Sequence, residues 1–142
     1  MKNLFLGAIL FCVTQVSLAQ GSPDAIKFVN NLGVKTQIDA AKEQILPSIE
    51  VGKEADFIKE FDTAVTDFTN TFTKLVDENY DMELVKAANK KFDETKEMTQ
   101  VLPKDAVAFQ EKVNTLQNEI GMTLQGLVMK YASAEALQQG EE

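Results

Sequence analysis

Between Phe57 and Asn79 the apolar residues fall at Phe57, Phe61, Ala64, Phe68, Phe72 and Leu75, closing with Asn79, in steps of 4, 3, 4, 4, 3 and 4 residues. That spacing brings a side chain back to the same side of an α-helix at every turn. The segment is rich in Thr, Val and Phe, types that favour strands, yet a half-buried strand needs strict alternation and none is present. Asp62, Thr66 and Asn70 occupy the opposite side, as a helix with one buried stripe requires. A helix over 54–79 follows, and its row of aromatic rings must be covered by other helices.

The neighbouring segments carry the same period. Ser22-Pro23-Asp24 reads as an N-cap, a proline at the first helical position and an acidic first turn. Ala25, Val29 and Leu32 then share a face, and Gly33 stands where a left-handed C-terminal cap belongs. Thr36 offers a second N-cap, with Ile38, Ala41 and Ile45 as the buried stripe of a second helix that Pro47 ends before a break at Val51-Gly52. Asp81 is placed to cap a fourth helix with Leu84, Val85, Ala88 and Phe92 facing inward. A fifth starts near Pro103 or Lys104 and runs to about Leu137, roughly 50 Å at 1.5 Å per residue. Its stripe is Ala106, Phe109, Val113, Leu116, Ile120, Leu124, Leu127 and Tyr131, with Gly121 and Gly126 marking a bend or a close crossing. The expected fold is all-α: a small antiparallel helical bundle of about five helices, with the third and fifth as its spine.

The first residues bear on compartment. Met1-Lys2-Asn3 is a short positive start, Leu4 to Val13 is apolar, and Ser17-Leu18-Ala19 supplies the small residues read by a signal peptidase. A cleaved signal peptide over 1–19 is expected, followed by a single helical domain at 20–137 and a disordered acidic tail at 138–142. The apolar run is shorter than the ~20 residues that span hydrocarbon, so no membrane span is expected after cleavage before Gln20. Cys12 follows Phe11, where a lipoprotein site wants a small residue, and it is lost with the leader. The product is expected to be secreted or periplasmic and without disulfides, so it must rely on a packed core.

Composition removes whole classes of chemistry. The chain of 142 residues has 14 lysines, no Arg, no His and no Trp. General-base histidine, His-ligated zinc or haem, and Ser-His-Asp or Cys-His catalysis are thereby excluded. A formal net charge of −8 without arginine gives no basic face for a phosphate backbone, so no nucleic-acid partner is expected.

The run Asn31-Leu32-Gly33-Val34-Lys35-Thr36-Gln37-Ile38, the segment from Phe57 through Tyr80 to Leu84, Phe92-Asp93-Glu94-Thr95 and the later Pro103 together resemble a known pattern. The chain is similar, over most of its length after the leader, to the family of exported bacterial helical proteins numbered 2059 in the domain-of-unknown-function series. Where that family has Pro-x-Gly after the phenylalanine, this chain reads Thr95-Lys96-Glu97-Met98. The resemblance implies an all-helical exported bacterial protein and brings with it no activity and no catalytic residues.

Two groups of residues retain chemical possibilities. Asp77-Glu78-Asn79-Tyr80-Asp81-Met82-Glu83 spaces oxygen ligands as the start of a calcium loop does, but the sixth and twelfth places of an EF-hand hold Met82 and Ala88. A polar turn with Asp81 as N-cap is the plainer reading. Glu60 with Asp67, and Asp93 with Glu97, are carboxylate pairs on shared helix faces, the minimum that glycoside hydrolysis needs. Polar neighbours make them solvated faces rather than shielded acids. The phenylalanine stripe serves as core, or as the lining of an apolar pocket between helices; Met82, Met98, Met122 and Met129 are gap-fillers or an adaptable surface. The expectation is a non-enzymatic protein, without catalytic, cofactor or metal residues, that binds a protein or an apolar small molecule at the bacterial cell envelope. The alternatives are a carboxylate-only hydrolase and a calcium-dependent module.

Overall fold

The structure, a computed structural model, describes residues 21–138. The expected signal peptide, Cys12, the cleavage point before Gln20 and residues 139–142 of the tail lie outside the described residues. Helix α1 (Pro23–Asn31) begins as its sequence dictates: Pro23 opens it, and the Ala25 N–H donates to Ser22 Oγ at 3.3 Å. Ser22 also fastens the chain to the third helix, donating to Asp77 through its backbone N–H and, at 2.5 Å, through its hydroxyl. The approach is so close that a Cβ on Gly21 would lie 2.7 Å from the Thr73 methyl, and only glycine fits there.

Gly33, at φ 70°, ends α1 and is at once the residue before α2 (Val34–Ile45). A left-handed glycine reverses the chain in one residue. Thr36 therefore falls inside α2 and is not its N-cap, which corrects the sequence expectation. Pro47 then sits in a 3₁₀ turn over Leu46–Ser48, and a turn at Val51-Gly52 leads into α3 (Glu54–Asn79), whose bounds match the periodicity. Its threonines are accommodated by a simple device. Thr63, Thr66, Thr69, Thr71 and Thr73 each donate a hydroxyl hydrogen bond to the carbonyl four residues back, at 2.7 to 2.9 Å. Asp81 caps α4 (Met82–Thr95) through the Glu83 N–H, as expected.

Helix α5 covers Ala106–Tyr131 and is shorter than its periodicity implied. Ala132 is extended and pairs with Ile49 in an isolated antiparallel bridge. The Glu50 N–H donates to the Tyr131 carbonyl at 2.8 Å and the Ser133 N–H to the Ser48 carbonyl at 2.9 Å. These two tertiary bonds replace helical ones, so the chain breaks and restarts as the short α6 (Ala134–Gln138). The all-α class holds, with six α-helices and no strand among the described residues. Gly121 and Gly126 mark no close crossing: α5 runs through both, and a Cβ at either would meet nothing within 4 Å.

Helices α3 and α5 form the spine and run in opposite senses. Phe57 near the start of α3 meets Tyr131 at the end of α5, with ring centroids 6.1 Å apart. At the other end, Phe72 and Tyr80 meet Phe109 at 6.4 and 5.0 Å. The core is divided accordingly. One cluster joins Ala25, Phe28 and Val29 of α1 to Val76, Tyr80, Val85, Ala88 and Phe109. The other holds Ile49, Phe57, Phe61, Val65 and Tyr131. Fully burying a side chain of this size stabilises by about 1.5 to 3 kcal/mol, and each cluster contains several. Buried Asn89 is satisfied, donating to the Asp24 carbonyl at 2.9 Å and accepting from Asn31 at 3.0 Å, which locks α4 to α1.

Candidate ligand-binding grooves

The stripe of α3 passes from one cluster to the other at Phe68, and there the packing opens. Phe68 is half-buried and stacks on Phe72 with centroids 6.2 Å apart and planes within 2°. On one side of its ring lies a cavity of about 350 Å³ walled by Val34, Ile38 and Ala41 of α2 and by Ile120 and Leu124 of α5. On the other lies a cleft of about 210 Å³ reached by Leu116, Asp67 and Glu119. Leu116 is buried, 8 % exposed, yet belongs to neither cluster. The third-helix stripe is thus core at Phe57 and Phe61, joined there by Val65, and a cleft wall at Phe68. Helix α2 has no fully buried residue; Ala41 is exposed rather than part of a buried stripe. Half-buried Ile38 and Ile45 rest on the second cluster, and Lys42 bonds Asp62 of α3 at 2.6 Å.

The carboxylate pairs are not brought together as acid and base. Glu60 accepts from Lys130 at 2.7 and 2.9 Å and from the Tyr131 hydroxyl at 2.8 Å. The Lys130 hydrogen bond foremost, then that of Tyr131, holds its carboxyl below the usual value, the opposite of what a general acid needs. Asp93 pairs with Lys27 of α1 at 2.5 Å. Asp67 and Glu119 share the 210 Å³ cleft but are both exposed, so no apolar wall shields either from water. In the calcium-like run, Asp77 is occupied by Ser22 and Asp81 by its own helix start. Among the described residues no group of three or more acidic side chains is placed to hold a metal ion.

A different groove emerges where α4 leads into α5. Lys96, at φ 60°, ends α4, and the chain continues without helix as a strap from Met98 to Leu102. Val101 packs on the first cluster, and beyond the strap the Lys104 N–H donates to the Asn79 carbonyl at 2.7 Å. Among the described residues no backbone N–H from Met98 to Leu102 donates a hydrogen bond. Between strap and helix lies a groove of about 440 Å³ walled by Leu84, Ala87 and Ala88 on one side and by Val101 and Leu102 on the other, with Lys91 at its edge. Leu84 and Leu102 are 55 % and 67 % exposed. A smaller groove of about 260 Å³, lined by Phe28, Leu32, Tyr80 and Met98, lies across the same strap. Thr99 lines both grooves, and its Oγ1 is sealed from solvent without a hydrogen-bond partner among the described residues. Such an unmet group costs about 1 to 3 kcal/mol.

Leu84 therefore does not face inward as its sequence position implied. Adjacent residues of a helix point about 100° apart, and Val85 takes the buried direction. The missed signal was a second stripe on α4: Leu84, Ala87, Ala88 and Lys91 recur at i, i+3, i+4 and i+7. Of the adjacent pair Val101-Leu102, Val101 packs on the first cluster while Leu102 is exposed. No family model matches the chain, and no curated protein or solved structure matches it.

Proposed function

We propose that this chain is an exported, non-catalytic binding protein of the bacterial cell envelope, and that it takes an apolar ligand in the groove between α4 and the 98–102 strap. The observation that carries this reading is the groove itself: about 440 Å³, apolar on both walls, with two large leucines held open to solvent. The volume falls within the range of small-molecule sites, about 300 to 1,000 Å³. A non-catalytic role is supported by the absence of histidine and by the state of the two carboxylate pairs, in which Glu60 and Asp93 are ion-paired and Asp67 and Glu97 are exposed. Export is supported by the leader-like start of the sequence, and a bacterial source by its resemblance to the exported helical family.

A second reading places the ligand beside Phe68, on the strength of the 350 Å³ cavity between α2 and α5. One titration separates the two. The purified protein is titrated with the apolar fluorophore N-phenyl-1-naphthylamine, alongside Leu84→Ser, Leu102→Ser and Phe68→Ala variants. Leu84 and Leu102 are exposed, so their replacement leaves the fold intact. Loss of saturable binding in the leucine variants, with Phe68→Ala unaffected, is the expected result. Loss in Phe68→Ala alone moves the site to the second cavity, and no saturable binding by the parent protein overturns the function.

A further inference from the structure

Resting on that reading, we infer that the strap groove selects an anionic amphiphile, a single alkyl chain ending in a carboxylate, as in a free medium-chain fatty acid. The apolar walls fit the chain; the argument for the head group comes from charge. The protein is strongly acidic, at −8 overall, and most of its surface repels an anion. The stretch that builds this groove is closer to balance, with Asp81 and Asp105 just beyond its ends. From Met82 to Lys104 it holds five lysines (Lys86, Lys90, Lys91, Lys96 and Lys104) against four acidic residues. Lys86, Lys90, Lys91 and Lys104 take part in none of the ion pairs among the described residues. Lys91 stands at the groove's edge, one helical turn from the Ala87 and Ala88 wall, so an ammonium without a carboxylate partner adjoins an apolar trough.

Thr99 is a second, independent pointer. A hydroxyl buried without a partner is out of place in a packed protein. Its methyl and hydroxyl branch from one carbon, and rotation about χ1 exchanges them, turning an O–H donor into the groove that Thr99 already lines. A carboxylate beside Lys91 meets that donor and relieves the unmet group. A neutral alkane gains nothing from either residue, and a cationic amphiphile is repelled by Lys91. The leucine walls serve all three alike.

The test compares dodecanoate and dodecyltrimethylammonium below their micelle concentrations and dodecanol below its solubility limit, by displacement of the fluorophore from the purified protein. Dodecanoate is expected to bind about two- to fivefold tighter than dodecanol, the size of effect one partly exposed charge pair gives, and the preference shrinks in high salt. Lys91→Gln, at an exposed position, abolishes the preference of the groove for dodecanoate over dodecanol. Thr99→Val weakens dodecanoate with unchanged helical circular dichroism. Equal binding of dodecanoate and dodecanol, indifferent to Lys91→Gln, overturns the head-group inference and leaves the apolar groove standing. Failure of every amphiphile to displace a saturably bound dye overturns the head-group inference, and absence of saturable dye binding by the parent protein removes both. Co-sedimentation with vesicles containing phosphatidylglycerol, without binding of monomeric dodecanoate, overturns it in favour of a membrane surface.

Discussion

Phe61 and Phe68 lie on the same helix, two turns apart, and the divided core assigns them different energies. Phe61 is fully enclosed, its ring 5.5 Å from that of Phe57 and with the Lys42 ammonium 5.7 Å from its centroid. Truncation to alanine removes the transfer energy of the ring and leaves a closed hole, at a cost of about 3 to 5 kcal/mol. At Phe68 the clefts on either side already admit solvent, so truncation enlarges an open space instead of creating a sealed one. Only the half-buried part of the transfer energy is lost, about 1 kcal/mol. With a urea slope of about 2 kcal/mol per molar, the midpoints fall by roughly 2 M for Phe61→Ala and 0.5 M for Phe68→Ala. Leu116→Ala, buried beside the cleft, costs about 2 kcal/mol, the low end of its class. Equilibrium unfolding followed by circular dichroism measures all three, with a constant slope confirming that compactness is unchanged. A Phe68→Ala loss equal to that of Phe61→Ala refutes the reasoning, because it requires one continuous core with the clefts closed.

The Glu60 carboxyl, held low by Lys130 and Tyr131, contributes stability that is present above its unfolded value near pH 4.3 and is lost as pH falls through its folded value. Urea midpoints of the parent and Glu60→Gln should therefore differ at pH 7 and draw together as acidification protonates the carboxyl; a gap that does not narrow as pH falls contradicts the assignment. Helix α2, with no fully buried residue and Lys42 as its ionic tie to Asp62, should exchange its amide hydrogens faster than α3. Lys42→Met should speed α2 exchange about two- to fivefold further while leaving the amides of Phe57 to Val65 unchanged, and equal protection of α2 and α3 counts against the loosely held helix.

Most of the helical framework was legible because its signals are local. The caps at Ser22 and Asp81 and the period of α3 act within a turn or two, and the structure preserves them. The errors share a different cause. Nothing near Ala132 stops a helix; the stop comes from Ser48, Ile49 and Glu50, more than eighty residues away in sequence. Phe68 has the spacing of a core residue, but whether a stripe residue is covered depends on how closely α2 and α5 approach, which spacing along one helix does not encode. Leu84 was misplaced by treating two adjacent residues as sharing a face. The strap groove combines both difficulties, since one wall is a secondary stripe of α4 and the other is an irregular segment without periodicity.

Exposed apolar residues are common on any protein surface and taken singly mean little. Their grouping in this molecule is what distinguishes the strap. Val51, Val107, Met122 and Met129 are exposed but line none of the grooves above. Leu84 and Leu102 converge on one side of the strap, while Leu32 and Met98 converge on the other. Met98 and Leu102 of the strap thus meet Leu32 of α1's end and Leu84 of α4 along a segment whose backbone N–H groups donate no hydrogen bond among the described residues. A segment held chiefly by Val101 and by the single bond from Lys104 can shift at small cost, because few fixed contacts oppose it. An apolar ligand of the proposed kind, seated between α4 and the strap, covers Leu84 and Leu102 together and adds contacts along a segment that makes few of its own.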